Sequence, residues 1–558
     1  MARRNRPYRL RYLKRYRTIA EALLRHGFGY LIDQLDLHHL LPFRRRLFRR
    51  GEGAAPLTVG VRLRLVFEEL GPTFVKLGQL LSTRSDLLPA DIAIELSKLQ
   101  DDVPPFSAGK AIEAVERELG KEPGEVFSSF DERPLAAASI AQVHRATLHS
   151  GEQVVVKIRR PGIERQIETD IQILLGIAEL VKERLRPDLF DPVAVVEEFA
   201  RTIRRELDFR IEARHIRRFR ANFSAEKEIY IPEVHWGLTT ERLLVTEFVD
   251  GAKVTDAGTL AAWGIDPAEV ARRGARAFLK QVMLDGTFHG DPHPGNVLVM
   301  RDGRLAFIDF GVVGELDERE MEALADMFIG MVQLDTGRVV KALRRLGALD
   351  DRADARALKA DLSDLVERRY GRPLKEIDLG PIVSELFSII NKHHIRLPLD
   401  FALLGKALVT MEGIGKQLDP DFNAIEIARP FAVRLVRRRL DPKRVARQAL
   451  KDGREYLETL GRIPPALERA ISSLNRGELE IGFTHKGLDR LMHRLDVVSN
   501  RVSLAVVIAS LIVGSSLVVS AGKGPEVFGL PLLGVLGYVA AGIFGIGLAV
   551  SIFRSGRF

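Results

Sequence analysis

The chain has 558 residues, of which 46% are hydrophobic and 28% are charged, so it can form about two to four structural units around packed cores. This composition excludes a wholly disordered protein. The absence of cysteine excludes disulfides, thiolate metal sites and cysteine nucleophiles, and the net charge of +9 at pH 7 favours anionic partners.

Residues 1–55 are predicted to be a basic leader close to a membrane. The segment begins MARRNRPYRLRYLKRYR and includes PFRRRLFRR, without the apolar core of a secretory signal. An anionic membrane surface attracts each exposed Lys or Arg by about 1 kcal/mol, and such a surface is the expected partner. A solvated basic tail is the alternative. Nucleic acid is not expected as a partner, because no recognisable binding module accompanies the charge.

The next two segments are predicted to differ in secondary structure. Residues 56–130 have helical periodicity, in VRLRLVFEELGPTFVKLGQLLSTR and again in AGKAIEAVERELG. Within residues 131–250, HRATLHSGEQVVVKIRRPG has two β-branched runs around a Ser-Gly turn, which predicts an antiparallel hairpin. Asp191 followed by Pro192 predicts the start of one helix that continues to Phe219, and ERLLVTEFVDG predicts a strand.

Residues 251–500 are predicted to form a larger helical lobe. Helical patterns begin at Asp266 and fill residues 317–500. Between them lie a loop rich in Pro, Gly and His and a short strand pair in VLVMRDGRLAFIDFG. Protein kinases have the same order of elements: a strand-rich lobe, a connecting strand, and a helical lobe with a catalytic loop. The predicted fold class is therefore α+β, a two-lobed, protein-kinase-like fold that follows an N-terminal helical extension.

The segment FHGDPHPGNVLVMRDGRLAFIDFG carries the strongest chemical signal. Asp291 is followed five residues later by Asn296, and Asp309 stands in an Asp-Phe-Gly triplet. Phosphoryl transfer from ATP needs magnesium on hard oxygen ligands and a carboxylate near the attacking oxygen. We therefore predict Asp291 as the catalytic carboxylate, with Asn296 and Asp309 as magnesium ligands; a surface loop with a metal-free carboxylate cluster is the alternative. His289 and His293 without cysteine are a weak zinc signature, and we expect His289 to order the loop.

Lys157 ends the alternating strand VVVK. It is predicted to be the catalytic lysine that contacts the α- and β-phosphates of ATP and pairs with a glutamate from a helix. A solvated strand edge is the alternative for an isolated lysine. The G-x-G-x-x-G loop of kinases is missing before Lys157, and LAAASIAQV at 135–143 stands in its place. Alanine restricts the backbone more than glycine, so nucleotide must be held differently, which argues against an ordinary protein kinase.

Two apolar runs in the C-terminal domain, residues 501–558, are predicted to cross a membrane and add a transmembrane helical hairpin to the fold. Residues 502–520 and 527–553 contain no Asp, Glu, Lys, Arg or His, and about 20 apolar residues span a hydrocarbon core. A buried core helix is the alternative for either run alone. Arg501 precedes the first span and Arg554 and Arg557 follow the second, which places both ends in the cytoplasm.

Small residues recur every fourth position in the second span, at Gly537, Ala541, Gly545 and Ala549. They place one face of the helix where a neighbouring helix can approach closely. That neighbour is either the first span or a second copy of the protein. The sequence does not choose between them, so a homodimer is left open.

Taken together, these motifs resemble the UbiB family of atypical kinases, which is linked to ubiquinone biosynthesis, over most of the chain. Two terminal transmembrane helices also fit its bacterial members, whereas Ala141 stands where many relatives have glycine. The matching motifs are K-x-G-Q at 76–79, AAASIAQVH at 136–144, Lys157, ELDFRIEA at 206–213, HGDPHPGN at 289–296 and DFG at 309–311.

The resemblance implies roles for further residues. In the family, the K-x-G-Q helices lie over the nucleotide site and occlude a protein substrate, a role that carries over to Lys76 and Gln79. Glu206 and Asp208 match the E-x-D motif that works with them, and Glu212 matches the glutamate that pairs with the strand lysine. ATP and Mg²⁺ are the implied cofactors, and the alanine-rich loop is the implied nucleotide cover, at Leu135, Ala136, Ala137, Ala138, Ser139, Ile140, Ala141, Gln142 and Val143.

The resemblance also implies an activity at the bacterial inner (cytoplasmic) membrane, with isoprenoid quinone precursors and other quinone-biosynthesis enzymes as partners. The leading hypothesis is an ATPase that gives soluble enzymes access to a membrane-embedded precursor. A kinase that acts on a small or lipid hydroxyl is one alternative. A nucleotide-sensing scaffold without turnover is the other.

Overall fold

The computed structural model describes residues 6–30, 57–84, 87–99, 103–185, 191–349, 354–368, 379–393, 395, 397–439, 488–522, 525–527 and 530–554. The chain divides into two units, Met1–Arg447 and Gln448–Phe558. The first unit holds every predicted catalytic and nucleotide-binding residue, and the second holds both predicted membrane spans.

Helices of the first unit begin at residues that favour a helix start. Thr58, Asp191, Asp266 and Asp317 each accept a hydrogen bond from the first turn of the helix that follows, which satisfies donors that the helix itself cannot use. The described helices are α1 (Arg6–Arg25), α2 (Val59–Leu70), α3 (Pro72–Thr83), α4 (Ala90–Leu96), α5 (Ala108–Leu119), α6 (Pro123–Val126), α7 (Ile163–Leu185), α8 (Pro192–Glu206), α9 (Phe209–Asn222), α10 (Ala257–Ala262), α11 (Pro267–Lys280), α12 (Glu318–Val332), α13 (Thr336–Arg345), α14 (Ala355–Glu367), α15 (Leu379–Lys392), α16 (Leu399–Leu418) and α17 (Ala424–Arg439).

The strands of the first unit form a sheet in the small lobe, a second sheet and a two-stranded pair. The small-lobe sheet has the order β1-β3-β4-β6 with β2 on β3, the second sheet has the order β5-β10-β9-β7, and β11 pairs with β8. The strands are β1 (Phe127–Phe130), β2 (Ala136–Ala137), β3 (Ala141–Leu148), β4 (Gln153–Arg159), β5 (Ile229–Tyr230), β6 (Leu243–Glu247), β7 (Gly251–Lys253), β8 (Thr287–His289), β9 (Val297–Met300), β10 (Leu305–Phe307) and β11 (Val313–Glu315).

The predicted hairpin and strands of the small lobe are present. Strands β3 and β4 pair antiparallel, with Val143 opposite Lys157. Val154, Val156 and Ile158 are buried in one cluster of the small lobe. Because successive strand side chains point to opposite faces, Lys157 leaves β4 on the face away from this cluster.

The helix predicted from Pro192 to Phe219 is wrong as a single element, because it divides at Leu207 into α8 and α9. The carboxylate of Asp208 accepts a hydrogen bond from the N–H of Arg210 at 3.1 Å and so caps a new helix. Aspartate competes with the helical backbone for hydrogen bonds in this way, which is why it favours a helix start. Helix α7 was not predicted from the sequence.

The described part of the basic leader is a folded helix, which the sequence analysis missed. Helix α1 packs against α2 and α7, and Ile19 and Ala22 are buried there. The guanidinium of Arg15 contacts the buried carboxylate of Asp170 at 2.7 and 2.9 Å. Helix α1 therefore packs onto the folded unit through Arg15, Ile19 and Ala22, and residues 31–55 lie outside the described residues.

The large lobe is helical, as predicted for the described residues between 251 and 439. Its core joins Phe278 of α11 and Phe288 of β8 to Leu343, Leu362 and Phe401 from later helices. Helix α16 runs along this core and also contacts α3 and β11. A strand-rich small lobe followed by this helical lobe is the predicted α+β architecture, and that prediction is confirmed.

The second unit contains two apolar helices, α18 (Leu488–Ala521) and α19 (Leu532–Arg554). Segments Val498–Ala521 and Leu532–Ala549 are long and apolar enough to cross a membrane. Only 6% and 11% of the most apolar 18-residue stretch of each segment is buried within the protein. The prediction that the second span begins at Val527 is wrong, because Glu526–Val527 (β12) pairs with Leu530–Pro531 (β13) before the helix starts. The predicted domain boundary at 500 lies inside α18.

Part of the small-residue stripe packs against the first span. A Cβ on Gly534 would lie 2.5 Å from Cγ2 of Val519, and a Cβ on Gly537 would collide with Oγ of Ser515. Ala541 is buried, whereas a Cβ on Gly545 would meet nothing within 4 Å. The first span is therefore the neighbour of the stripe at Gly537, and a homodimer stays an open alternative.

Candidate active site

Lys157 lies at the centre of the predicted site. Its Nζ donates to Oε1 and Oε2 of Glu212 at 2.8 and 2.9 Å, and it lies 3.4 Å from Oδ2 of Asp309. The predicted ion pair between Lys157 and Glu212 is therefore present, and it joins strand β4 to helix α9. Asp309 comes from the segment after β10, so three distant parts of the chain meet here.

The charges of these three groups depend on one another. Burial opposes the ammonium of Lys157, but the carboxylates of Asp309 and Glu212 outweigh burial and raise the pKa of Lys157. Burial raises the pKa of Glu212, and Lys157 offsets only part of that rise. Partial burial also raises the pKa of Asp309, but Lys157 and the N–H of Gly311 outweigh it and lower that pKa to about 2. Lys157 and Asp309 are therefore charged at neutral pH.

His289 orders the loop that carries Asp291, as predicted. The Nδ1 of this buried ring accepts a hydrogen bond from the N–H of Asp291 at 3.1 Å, and its own backbone N–H donates to Gln281 at 3.0 Å. Burial lowers the pKa of His289, so the ring is neutral and Nδ1 is free to accept. The Nδ2 of Asn296 donates to the carbonyl of Asp291 at 3.1 Å, which fixes the two predicted site residues relative to each other.

Lys406 is a residue of this site that the sequence analysis missed. Its Nζ lies 3.0 Å from Oδ1 of Asp291, although it comes from helix α16 of the large lobe. Gly290 permits the close approach of α16, because a Cβ at this position would lie 2.6 Å from Cδ2 of Leu403. The sequence offered one signal for Lys406, which is the single charged residue in the apolar run FALLGKALVT at 401–410. A charged side chain in such a run usually has a partner of opposite charge.

The alanine-rich segment forms a tight hairpin in place of a flexible glycine loop. Ala136 of β2 is opposite Val143 of β3, and the N–H of Ala138 donates to the carbonyl of Ala141 at 2.7 Å. The hydroxyl of Ser139 is buried and has no hydrogen-bond partner among the described residues. Leu135 is exposed before the hairpin, whereas Ile140 is buried within it.

Two side chains hold this hairpin in place. The amide of Gln142 accepts from the N–H of Phe106 at 2.9 Å and donates to its carbonyl at 3.3 Å, so its side chain is turned into the protein. The Nη2 of Arg160 donates to the carbonyl of Ala138 at 3.1 Å. If Ala137 and the other loop residues bind nucleotide as predicted, they would do so through a backbone that these hydrogen bonds hold rigid.

The K-x-G-Q helix, α3, lies beside the site. Lys76 pairs with Glu206 at 2.5 Å, and Lys76 also contributes to the lowered pKa of Asp309. The amide of Gln79 donates to the carbonyl of Leu99 at 3.2 Å. The structure therefore brings Lys76 and Glu206 of the two motifs together, whereas Asp208 caps α9 and pairs with Arg210 at 3.0 Å.

Gly78 of the same motif has a packing role that a substitution will test. A Cβ on Gly78 would collide with Leu99 and lie 2.6 Å from Cδ2 of Phe67. Gly78→Ala is expected to lower the free energy of unfolding by about 1–3 kcal/mol, because the neighbouring core has no room for a methyl group. Gly109→Ala, where a Cβ in helix α5 meets nothing within 4 Å, is the matched control and should not destabilise the protein. Thermal unfolding of both variants measures the difference, and equal midpoints would contradict this role.

The residues of the site fit a nucleotide with magnesium. Asn296 and Asp309 offer amide and carboxylate oxygens, the donors that magnesium takes, and the Asp309 side chain is 43% exposed. No group of three or more His, Cys, Asp or Glu within the described ranges is placed to hold a metal ion by itself. Phosphate oxygens and water usually complete such a site, and the ammonium of Lys157 suits a phosphate.

The two lobes and the Lys157–Glu212–Asp309 cluster define a kinase-like protein. Family models match residues 98–343 as an ABC1 atypical kinase-like domain, residues 362–423 as a UbiB helical domain and residues 486–554 as an ABC1/UbiB kinase-like C-terminal domain. The chain therefore belongs to the ABC1/UbiB family of atypical kinase-like proteins, as its motifs indicated.

Individual proteins are also similar to this chain. An uncharacterized protein of Synechocystis is 36% identical over 80% of this chain and 77% of its own length. A protein of Xanthomonas oryzae named "Probable protein kinase UbiB" is 35% identical over 96% of this chain and 98% of its own. A solved structure of a Mycobacterium tuberculosis protein in complex with erythromycin has 24% identity and a TM-score of 0.45, covering 63% of this chain and 90% of that one.

Proposed function

We propose that this chain is a membrane-anchored atypical kinase or ATPase that binds ATP with Mg²⁺ and supports the biosynthesis of ubiquinone, an isoprenoid quinone. Turnover of ATP would give soluble quinone-modifying enzymes access to a precursor held in the membrane. The position of Lys157 supports the proposed binding of ATP. Its Nζ donates to both carboxylate oxygens of Glu212 and lies 3.4 Å from Oδ2 of Asp309. Membership of the ABC1/UbiB family supports the proposed role in ubiquinone biosynthesis.

The site residues divide the work of phosphoryl transfer among them. Bound ATP and Mg²⁺ supply the phosphoryl group and the positive charge that stabilises its transfer. Lys157, oriented by Glu212, would contact phosphate oxygens, and Asn296 and Asp309 would hold the ion. Asp291 would orient the attacking water or hydroxyl group, as the corresponding kinase carboxylate does.

The surroundings of the site favour a small acceptor over a protein. The ion pair between Lys76 and Glu206 attaches α3 to the small lobe, and the same helix contacts α16 of the large lobe. A helix held by both lobes beside Asp309 restricts access for a folded protein substrate. Water or a small hydroxyl compound needs far less room, which supports an ATPase or a small-molecule kinase.

The apolar helices of the second unit support the membrane anchor. Their apolar faces are largely uncovered by protein, and burial of apolar surface in lipid is favourable at about 25 cal/mol per Å². We place both ends of this hairpin in the cytoplasm because Arg501 and Arg554 flank the spans. An inner-membrane location would bring the protein close to isoprenoid quinone precursors.

Lys406 is expected to assist turnover through its contact with Asp291. Lys406→Ala should lower ATP turnover by about tenfold and leave nucleotide affinity nearly unchanged, because the ammonium contacts the catalytic carboxylate rather than Lys157. Lys406→Arg, which keeps the charge, should retain most of the turnover. Lys359→Ala, an exposed lysine of α14, is the control. Equal turnover in Lys406→Ala and wild type would contradict this assignment.

A complementation experiment tests the proposed function in the cell. A bacterial strain that lacks its own UbiB protein would receive the full chain or its Asp309→Asn variant, and ubiquinone would be quantified in membrane extracts. The wild-type chain should restore ubiquinone, whereas Asp309→Asn at an equal protein level should not. Normal ubiquinone synthesis with Asp309→Asn would disprove a role for nucleotide turnover.

A further inference from the structure

A strongly basic hollow of about 460 Å³ opens in the small lobe, among residues that have no part in the proposed phosphoryl transfer. It lies where the end of α5, the end of β4 and the start of α7 come together. Its lining contains three more positive than negative charges, because Glu118 and Glu164 are its acidic residues and five arginines are its basic ones, Arg117, Arg159, Arg160, Arg165 and Arg242.

Both carboxylates of the hollow already have cationic partners. Glu118 pairs with Arg242 at 3.2 Å. Glu164 pairs with Arg159 at 2.9 Å and with Arg242 at 3.4 Å. Arg117 and Arg165 are exposed and form no ion pair within the described part of the chain. Two of the three uncompensated positive charges of the hollow therefore lie on exposed side chains.

The two arginines at the end of β4 differ in exposure, since Arg159 is buried and Arg160 is half-buried. The Arg159 side chain is only 7% exposed, and its Nη1 donates to the carbonyl of Leu207 at 2.7 Å. Arg160 donates to carbonyls only, and its Nε is buried without a hydrogen-bond partner among the described residues. Burial lowers the pKa of both arginines, so a nearby anion would stabilise their charged forms.

We propose that this hollow binds a phosphate group, carried either by a free anion or by the headgroup of an anionic lipid. Guanidinium groups match phosphate geometry with paired hydrogen bonds. The N-terminus of the 23-residue helix α7 adds positive potential at the same place. The volume lies within the range of small-ligand sites.

The hollow also adjoins two parts of the nucleotide site. Leu207, whose carbonyl is held by Arg159, lies between Glu206 and Asp208 of the E-x-D motif. Ala138, whose carbonyl is held by Arg160, lies in the alanine-rich hairpin. A phosphate bound here would contact the two arginines that support both segments.

Binding measurements on the full chain in detergent micelles test the proposal. Pyrophosphate is one probe and short-chain phosphatidylglycerol is the other, each titrated with the nucleotide site saturated by a non-hydrolysable ATP analogue and magnesium. Arg117→Ala/Arg165→Ala removes the two exposed guanidinium groups that form no ion pair within the described residues. Lys341→Ala/Arg344→Ala, at two exposed positions of α13, removes the same charge elsewhere and is the matched control.

The hollow variant should bind at least one probe about fivefold or more weakly than wild type, and the control variant should bind as wild type does. A loss confined to phosphatidylglycerol identifies a lipid headgroup as the ligand, and a loss confined to pyrophosphate identifies a free phosphate. Arg117→Lys/Arg165→Lys should keep most of the affinity, and matching thermal unfolding shows that the variants are folded. Equal affinity of wild type and hollow variant for both probes, or no binding by wild type, would overturn the proposal.

Discussion

Replacing Asp309 with asparagine is expected to reduce ATP turnover at least about 100-fold, because the change removes the charge of a predicted magnesium ligand. Asparagine keeps the size of the side chain and an oxygen that can accept from the N–H of Gly311, a bond of 2.8 Å in the wild type. Lys157 also keeps its two contacts with Glu212. The variant should therefore unfold at nearly the wild-type temperature while losing turnover.

Asp302→Asn is the control for this prediction. Asp302 is an exposed carboxylate in the turn between β9 and β10, where it pairs with Arg304 at 2.7 Å. Loss of an exposed ion pair costs about 1 kcal/mol or less, and turnover should stay close to wild type. Substantial turnover by Asp309→Asn, measured with magnesium at saturating ATP, would contradict the role of Asp309.

Lys157→Met is expected to destabilise the first unit by about 3 kcal/mol, because it leaves the carboxylate of Glu212 buried without its cation. The Glu212 side chain is 8% exposed. Besides Lys157, its only hydrogen-bond partner within the described residues is the N–H of Phe310, at 3.5 Å. Both tryptophans, Trp236 and Trp263, lie in the first unit. The fluorescence midpoint of thermal unfolding should therefore report this loss directly.

The double variant Lys157→Met/Glu212→Leu separates stability from function. Replacement of both partners of a buried ion pair by apolar side chains is often neutral for stability, so most of the lost stability should return. Both Lys157→Met and the double variant should bind nucleotide much more weakly than the wild type, since the phosphate contact of Lys157 is gone. A double variant that unfolds as early as Lys157→Met would show that the pair does not act as an isolated buried ion pair.

Turn and helix-capping residues in the sequence predicted the helices and strands whose ends depend on neighbouring residues. The Ser-Gly turn predicted the β3–β4 hairpin, and Asp191 with Pro192 predicted the start of α8, because turn and capping preferences act over a few residues. The order of these elements predicted a kinase-like fold. The motif spacing also predicted Asp291, Asn296 and Asp309 as site residues. In the structure Asp309 lies beside Lys157, and Asn296 contacts Asp291 within the catalytic loop.

Contacts between distant segments were beyond such reasoning. Lys406 reaches Asp291 only because α16 crosses the catalytic loop at Gly290, and no local pattern encodes that crossing. Arg15 and Asp170 meet for the same reason. The division of α8 from α9 is hidden in the sequence because Asp208 lies within a continuous helical pattern, and only the folded chain shows that its carboxylate caps a new helix.

The fate of the terminal phosphate of ATP tests the central claim most directly. The purified full chain would be incubated with magnesium and ATP labelled in the γ-phosphate, with and without phosphatidylglycerol vesicles and a phenolic mimic of the quinone head, beside Asp309→Asn. The proposed ATPase predicts release of labelled inorganic phosphate, stimulated by vesicles and phenol and absent from Asp309→Asn. Tight ATP binding without any release or transfer of label, under every condition, would contradict it and favour a nucleotide-sensing scaffold.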